Sequence, residues 1–107
     1  MRKYRNVPVV VDGIRFDSKK ESRRYSELKL LEKAGEIQAL ELQPSFKIDI
    51  NEKRVCTYKA DFEYMDLRGP VERVVEDVKS PPTRKNSTYR LKKKLVEAVY
   101  GIEIREI

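Results

Sequence analysis

A strand is predicted at Val71-Glu72-Arg73-Val74-Val75-Glu76-Asp77-Val78-Lys79, and Pro81-Pro82 marks its end because proline donates no hydrogen bond to a sheet. Side chains alternate between the two faces of a strand. Asp77 and Lys79 therefore share one face, while Glu76 lies on the other. The strand thus carries an acid and a lysine on the same face at its end.

Strand and helix signals alternate on both sides of this segment. Asp12-Gly13 predicts the turn of a hairpin over residues 9–16, because both residue types tolerate positive φ angles. Helices are predicted over residues 17–34 and 87–100, each followed by a glycine that stops it. Further strands are predicted at residues 36–42, 46–50, 54–65 and 102–107. This order of elements predicts a mixed α/β fold, in the form of an α+β sandwich.

Length and composition restrict both the architecture and the chemistry. The chain has 107 residues, which predicts one domain over residues 1–107 with a single modest core. It contains no histidine and only one cysteine, Cys56, which excludes His-based catalysis, His-ligated metals and an intrachain disulfide. The lone cysteine fits a reducing compartment, and no apolar run is long enough to span a membrane. Any catalysis must therefore use carboxylates, lysines, hydroxyls or a hard metal ion.

Positive charge is concentrated in one segment. The chain carries 24 Lys and Arg against 18 Asp and Glu, a net charge of +6. Residues 83–94 contain six Lys or Arg and no acid, and residues 2–5 add three more basic residues. Such clusters favour a polyanion, most often nucleic acid, although a solvated helix face would have the same composition. The candidate contacts are Arg84, Lys85, Tyr89, Arg90, Lys92, Lys93 and Lys94.

The second helix is predicted to be amphipathic. Its apolar stripe consists of Leu91, Leu95, Ala98 and Val99. The basic residues Arg90, Lys93 and Lys94 would then face away from the core. Tyr89 could stack on a base or pack against the protein, and the pattern does not distinguish the two.

Glu21 is an acid on the core-facing side of the first helix, since at about 100° per residue it falls about 20° from Leu28. The same residue completes the motif Ser18-x-x-Glu21, which matches a capping box. Catalysis and capping both remain open for Glu21 from the local sequence.

Asp61 lies in the predicted strand at residues 54–65 and shares its face with Lys59 and Glu63. Asp61 could converge with Asp77-x-Lys79 at one sheet edge, or these residues could form a solvated face of ion pairs worth at most about 1 kcal/mol each. The joint order favours convergence, because a helix-start Glu, a strand Asp, a strand Asp-x-Lys and a basic helix follow one another.

This constellation resembles the PD-(D/E)xK nuclease superfamily, and within it a family of small phage and prophage proteins. The resemblance covers nearly the whole chain and is carried by residues 11–21, 42–44, 60–62, 75–79 and 89–94. It implies that Glu21 is the helix acid, Asp61 and Asp77 are the strand acids, and Lys79 is the motif lysine. All four residues are therefore the expected catalytic residues.

The chain departs from the short motif at two positions. Ala60 stands where the motif has proline, and Asp77 stands where glutamate is frequent. A bulge in the strand could also bring Glu76 into the site instead of Asp77.

The resemblance implies a restriction-endonuclease-like core and a metal-dependent DNA endonuclease. Glu21, Asp61 and Asp77 would hold Mg²⁺, for which Mn²⁺ would substitute, because carboxylate oxygens suit a hard cation. Branched or junction DNA in phage replication or recombination is the expected substrate, as for a Holliday-junction resolvase. Symmetric cleavage by such a small chain implies a homodimer, acting in the cytoplasm of a bacterial host. The alternative is a noncatalytic basic DNA-binding protein of a phage or prophage.

Overall fold

The computed structural model describes residues 7–107, so the basic residues at positions 2–5 lie outside the described range. Residues 7–107 form eight strands and three helices. In chain order these are β1 Val9–Val11, β2 Ile14–Phe16, α1 Lys19–Lys33, β3 Ile37–Leu42, β4 Ser45–Ile50, β5 Lys53–Lys59, β6 Phe62–Asp66, β7 Glu72–Asp77, α2 Pro81–Arg84, α3 Ser87–Tyr100 and β8 Ile104–Glu106. The predicted mixed α+β class is confirmed.

A mixed sheet with the strand order β3-β6-β7-β8 forms the centre of the fold. β8 runs parallel to β7, whereas the other neighbours are antiparallel. The predicted N-terminal hairpin is confirmed: β1 pairs with β2 around Asp12 and Gly13, whose φ angles of 52° and 75° match a two-residue turn. The Tyr25 hydroxyl donates to Asp12 at 3.0 Å, which ties the hairpin to α1.

The strand predicted at residues 54–65 is two strands in different sheets. β5 pairs with β4, whereas β6 pairs with β3 and β7. The backbone changes sheets at Ala60 and Asp61, where Ala60 N donates to the Pro44 carbonyl at 3.1 Å and Asp61 N donates to the Glu76 carbonyl at 3.0 Å. Burial at every second residue continues through the break, so the apolar pattern could not reveal it.

Buried apolar residues form two clusters, one on each face of the central sheet, rather than the single core expected. The cluster below α1 and the hairpin contains Phe16, Tyr25, Leu28, Ile37, Phe62, Tyr64 and Val74. The cluster below α3 and the β4–β5 hairpin contains Phe46, Ile48, Tyr58, Ala60, Val75, Val96 and Ile104. β7 contributes to both clusters because successive side chains point to opposite faces.

The apolar stripe predicted for α3 is wrong in its orientation. Leu91 and Val99 are 60% and 52% exposed, whereas Val96 is fully buried. The helix is rotated because Tyr89, two turns before Val96, packs inward against Tyr58. Within residues 7–107, no helix is long and apolar enough to cross a membrane.

Candidate functional site

A cleft of about 380 Å³ lies between the start of α1 and the end of β7. Its lining residues are Asp17, Ser18, Lys20, Glu21, Asp61, Val78, Lys79, Ser80 and Thr83. Three of the four predicted catalytic residues, Glu21, Asp61 and Lys79, therefore line one cleft. The fourth, Asp77, is fully buried and does not line it, but its side chain contacts Lys79.

Glu21 forms only half of the predicted capping box. Ser18 Oγ accepts a hydrogen bond from Glu21 N at 3.2 Å, which caps α1. Among the described residues, no hydrogen bond or ion pair engages the Glu21 carboxylate. Glu21 lines the main cleft and also a neighbouring cavity of about 230 Å³, and Asp61 lines both as well. Capping therefore leaves the charged end of Glu21 available for a ligand.

Asp61 is held in place by the backbone on both sides. Its Oδ2 accepts a hydrogen bond from Val78 N at 2.7 Å, and its carbonyl accepts from Gln43 N at 2.9 Å. Burial raises the pKa of Asp61, against the Val78 amide, and the nearby negative charge of Glu21 raises it further. The site thus brings negative charges together in a partly desolvated place, where a cation would relieve their repulsion.

Asp77 has one satisfied oxygen and one unsatisfied oxygen. The Tyr58 hydroxyl donates to Oδ2. Oδ1 lies 3.2 Å from Lys79 Nζ, without the alignment of a hydrogen bond, and is the single buried side-chain oxygen or nitrogen within residues 7–107 that lacks a hydrogen-bond partner. Burial raises the pKa of Asp77 to about 7, against the effects of Tyr58 and Lys79, and Asp61 raises it further.

Lys79 follows the end of β7 and is in contact with Asp77 and Tyr89. Its ammonium group lies 3.2 Å from Asp77 Oδ1 and 5.5 Å from the centroid of the Tyr89 ring. The side chain is 23% exposed, so the ammonium group is only partly desolvated. Lys79 lies two residues beyond the end of β7 and so outside the strand that was predicted to include it, but its ammonium group still contacts Asp77.

Glu76, the alternative to Asp77, lies on the opposite face of β7 and outside the cleft. Arg24 Nε donates to Glu76 Oε1 at 2.8 Å, and Arg24 Nη2 and the Tyr64 hydroxyl donate to Oε2. The bond to Glu76 raises the pKa of Arg24. Glu76 is therefore a buried structural partner of α1, and the strand brings Asp77 to the side of Asp61.

The chemistry of these residues fits a hard cation, although the side chains do not form a complete metal centre as they stand. Within residues 7–107, no three His, Cys, Asp or Glu side chains lie close enough together to hold a metal. Asp77 Oδ1, which has no hydrogen-bond partner, and the carboxylate of Asp61 both offer oxygen atoms, the ligands that Mg²⁺ prefers. The residues therefore suit Mg²⁺ for two reasons: their donors are carboxylate oxygens, and one of these oxygens, Asp77 Oδ1, has no hydrogen-bond partner.

The predicted nucleic-acid-binding residues divide into exposed and half-buried groups. Exposed are Arg84, Lys85, Arg90 and Lys94, whereas Tyr89, Lys92 and Lys93 are half-buried. A third cavity, of about 280 Å³ and called the basic cavity below, is lined by Arg84, Tyr89, Arg90, Lys93, Lys94, Glu97 and Glu106. Lys93 Nζ lies 3.8 Å from Glu106 and 4.0 Å from Glu97, so Lys93 already has acidic partners.

Four further residues belong to the site or border it and were not predicted from the sequence: Tyr58, Lys20, Ser80 and Thr83. In the predicted strand at residues 54–65, Tyr58 falls on the face opposite Asp61, where a tyrosine looks like an ordinary core residue. Its position three residues before Asp61 was the available signal, but only the break between β5 and β6 turns its hydroxyl toward Asp77. Lys20 precedes Glu21 and lines the same cleft.

The fold and the site define a mixed α+β protein with a cleft of carboxylates and a lysine at one end of its sheet. Residues 1–106 match the model of a family described as a protein of unknown function, DUF1064, and the chain belongs to that family. Comparison with curated proteins and with solved structures gave no match.

Proposed function

We propose that this protein is a metal-dependent endonuclease that hydrolyses phosphodiester bonds of DNA. One observation carries the proposal: Oδ1 of the buried Asp77 has no hydrogen-bond partner and pairs only with Lys79, which lines one cleft together with Asp61 and Glu21. The resemblance to PD-(D/E)xK nucleases supports the same four residues from the sequence.

Each residue has a role that follows from its chemistry. Asp61, Asp77 and Glu21 would hold Mg²⁺ or Mn²⁺ through their oxygens. When bound, the ion supplies a Lewis acid that polarises a phosphate oxygen and acidifies water. Lys79 adds a positive charge to the lining of the cleft, where it would orient the attacking water and offset negative charge on the phosphate.

The substrate and the assembly are also part of the proposal. The basic cavity beside α3 supplies cations for the phosphates that flank the cut. The resemblance to phage and prophage nucleases favours branched DNA in the cytoplasm of a bacterial host. Resolving a four-way junction symmetrically requires two active sites, so the proposed active form is a homodimer.

A second candidate function is a noncatalytic DNA-binding protein. It is favoured by the absence of a group of three metal ligands among residues 7–107 and by the full burial of Asp77. The same basic surface would then bind DNA without chemistry.

A cleavage assay separates the two candidates. Purified protein is incubated with plasmid, linear duplex, flap and four-way junction DNA in Mg²⁺, with EDTA as the control. Cleavage that requires the metal supports the endonuclease. Salt-sensitive binding to all four DNAs without a cut on any of them supports the binding protein instead.

Glu21→Gln separates the catalytic role of Glu21 from its role at the helix terminus. Ser18 caps α1 through the Glu21 backbone, so the variant keeps that bond and loses only a charge that interacts favourably with the helix dipole, worth about 0.3–1 kcal/mol. We expect cleavage to fall by roughly 100-fold or more and to need a higher Mg²⁺ concentration, with a small decrease in melting temperature. Full activity at ordinary Mg²⁺ would remove Glu21 from the site.

Arg90→Gln combined with Lys94→Gln tests the basic cavity. Both side chains are exposed and line it, so we expect weaker binding to every DNA sequence and a slope of log affinity against log salt lower by about 2. Binding is measured in EDTA to prevent cleavage. The matched control is Lys33→Gln with Lys53→Gln, two exposed lysines that do not line this cavity. Equal slopes in the two double variants would show that the cavity does not bind phosphate.

A further inference from the structure

We propose that Tyr58 and Tyr89 are positioning residues of this site, with Tyr58 orienting the Asp77 carboxylate and Tyr89 holding the Lys79 ammonium group. This inference rests on the proposed function, because it assigns the two tyrosines a role in metal binding and in phosphate chemistry. Neither tyrosine lines the main cleft, so both act through the residue they contact.

Tyr58 fixes which oxygen of Asp77 stays open. Its ring is buried in the apolar cluster below α3, and its hydroxyl donates to Asp77 Oδ2. With Oδ2 occupied, Oδ1 is the oxygen left toward Lys79. Partners that orient a ligand in this way strengthen metal sites, and their loss commonly weakens metal affinity about 10–100-fold.

Tyr89 holds Lys79 through its ring. The two rings of Tyr58 and Tyr89 stack with centroids 6.4 Å apart, and Lys79 Nζ lies 5.5 Å from the centroid of the Tyr89 ring. The Tyr89 hydroxyl donates to Glu106 on β8 at 2.8 Å, which fixes the ring from its other end. An ammonium group at this distance from an aromatic ring is attracted to it. Tyr89 therefore packs inward, the second of its two expected roles.

The contacts form one chain that joins four elements. Tyr58 lies on β5, and Asp77 is the last residue of β7, with Lys79 two residues further on. Tyr89 lies on α3 and Glu106 on β8. Phenylalanine at both positions would supply the same apolar packing without the two hydroxyls. The two hydroxyls instead end on carboxylates, one of which is the proposed ligand.

Tyr58→Phe is tested against Tyr64→Phe as a matched control. Each change removes one hydroxyl that donates to a buried carboxylate of β7, Asp77 in the first case and Glu76 in the second. We expect Mg²⁺ affinity, measured by calorimetric titration and by the Mg²⁺-dependent rise in melting temperature, to fall about 10–100-fold in Tyr58→Phe. Tyr64→Phe should retain wild-type affinity, because Glu76 lies outside the cleft.

Tyr89 is tested with two variants that separate its ring from its hydroxyl. Tyr89→Leu removes the ring below Lys79, and we expect kcat to fall about 10-fold with unchanged Mg²⁺ affinity and unchanged KM for DNA. Tyr89→Phe keeps the ring and should restore most of kcat. A Phe variant as slow as the Leu variant, or a Leu variant with normal kcat, would overturn the role of Tyr89.

The outcomes distinguish this inference from the proposed function. If wild-type protein cleaves DNA in Mg²⁺ while Tyr58→Phe and Tyr64→Phe bind Mg²⁺ equally well, the positioning role of Tyr58 is wrong and the nuclease stands. If wild-type protein neither binds Mg²⁺ nor cleaves DNA, the proposed function is wrong and the role of both tyrosines with it.

Discussion

Asp77→Asn is expected to abolish Mg²⁺-dependent cleavage and at the same time to raise the stability of the metal-free protein. The amide loses the negative charge that a cation requires, so cleavage should fall on the order of 10³-fold or more. It still offers an oxygen to the Tyr58 hydroxyl and gains a donor that can face Asp61. The charged Asp77 thus lowers the free energy of unfolding because it is buried, although the same charge is needed to bind the metal. Such a conflict between stability and function is common at active sites.

The gain in stability should depend on pH in a defined direction. The pKa of Asp77 rises from 3.8 to about 7 in the folded protein, a change worth on the order of 4 kcal/mol. A raised pKa means that the fold favours the protonated acid, so the contribution of Asp77 to stability is full below pH 4 and is lost as the pH rises through 7. In EDTA, Asp77→Asn should therefore melt like wild type near pH 4 and higher at pH 8, by about 4–8 °C for each kcal/mol that the buried charge costs.

Glu76→Gln is the matched control for this result. It makes the same chemical change at the adjacent buried carboxylate, which is paired with Arg24. Removing that charge leaves the guanidinium with only its ion pair to Glu27, at 3.3 Å, and should destabilise the fold by at most about 3–5 kcal/mol. Cleavage below the melting transition should persist. If Asp77→Asn cleaves DNA normally and Glu76→Gln does not, the assignment of the two acids is wrong.

Lys79→Met is expected to slow cleavage by about 10²–10³-fold without weakening the metal site. The variant keeps the length of the side chain and removes the charge that offsets the developing charge on the phosphate. It also removes a cation that lies 3.2 Å from Asp77 Oδ1 and competes there with Mg²⁺. Mg²⁺ affinity should therefore stay the same or increase.

Two measurements check this prediction together. Single-turnover cleavage gives the rate, and calorimetric titration gives the Mg²⁺ affinity of the same preparation. Lys33→Met, an exposed lysine in the last turn of α1, controls for the loss of one positive charge and should behave like wild type. A Lys79→Met rate within a few-fold of wild type would remove the lysine from the chemistry.

The residues that converge in the cleft could be predicted because their positions follow from simple periodicities. The alternation of β7 separates Asp77 from Glu76, and the structure confirms it: Asp77 contacts Lys79, whereas Glu76 contacts Arg24. The start of α1 could be predicted from Ser18, whose side chain caps the helix. Strand alternation and helix capping each depend on residues that are close together in the sequence, so both could be predicted from the sequence alone.

The missed features depend on contacts between distant segments. The break at Asp61 arises from backbone hydrogen bonds to Pro44 and Glu76, which no local pattern contains. The rotation of α3 is set by Tyr89, whose ring packs on Tyr58 and whose hydroxyl reaches Glu106. The buried Asp77 also has a contact from a distant segment, because the hydroxyl of Tyr58 on β5 donates to its Oδ2.

The most direct test of the central claim is cleavage of DNA by wild-type protein and by Asp77→Asn purified in parallel. A 5′-labelled four-way junction and a duplex of the same sequence are incubated with each protein in Mg²⁺ and in EDTA. The account predicts discrete products with wild-type protein in Mg²⁺ only, and none with Asp77→Asn. Equal cleavage by both proteins, or no cleavage of either DNA by wild-type protein that binds them, would contradict it.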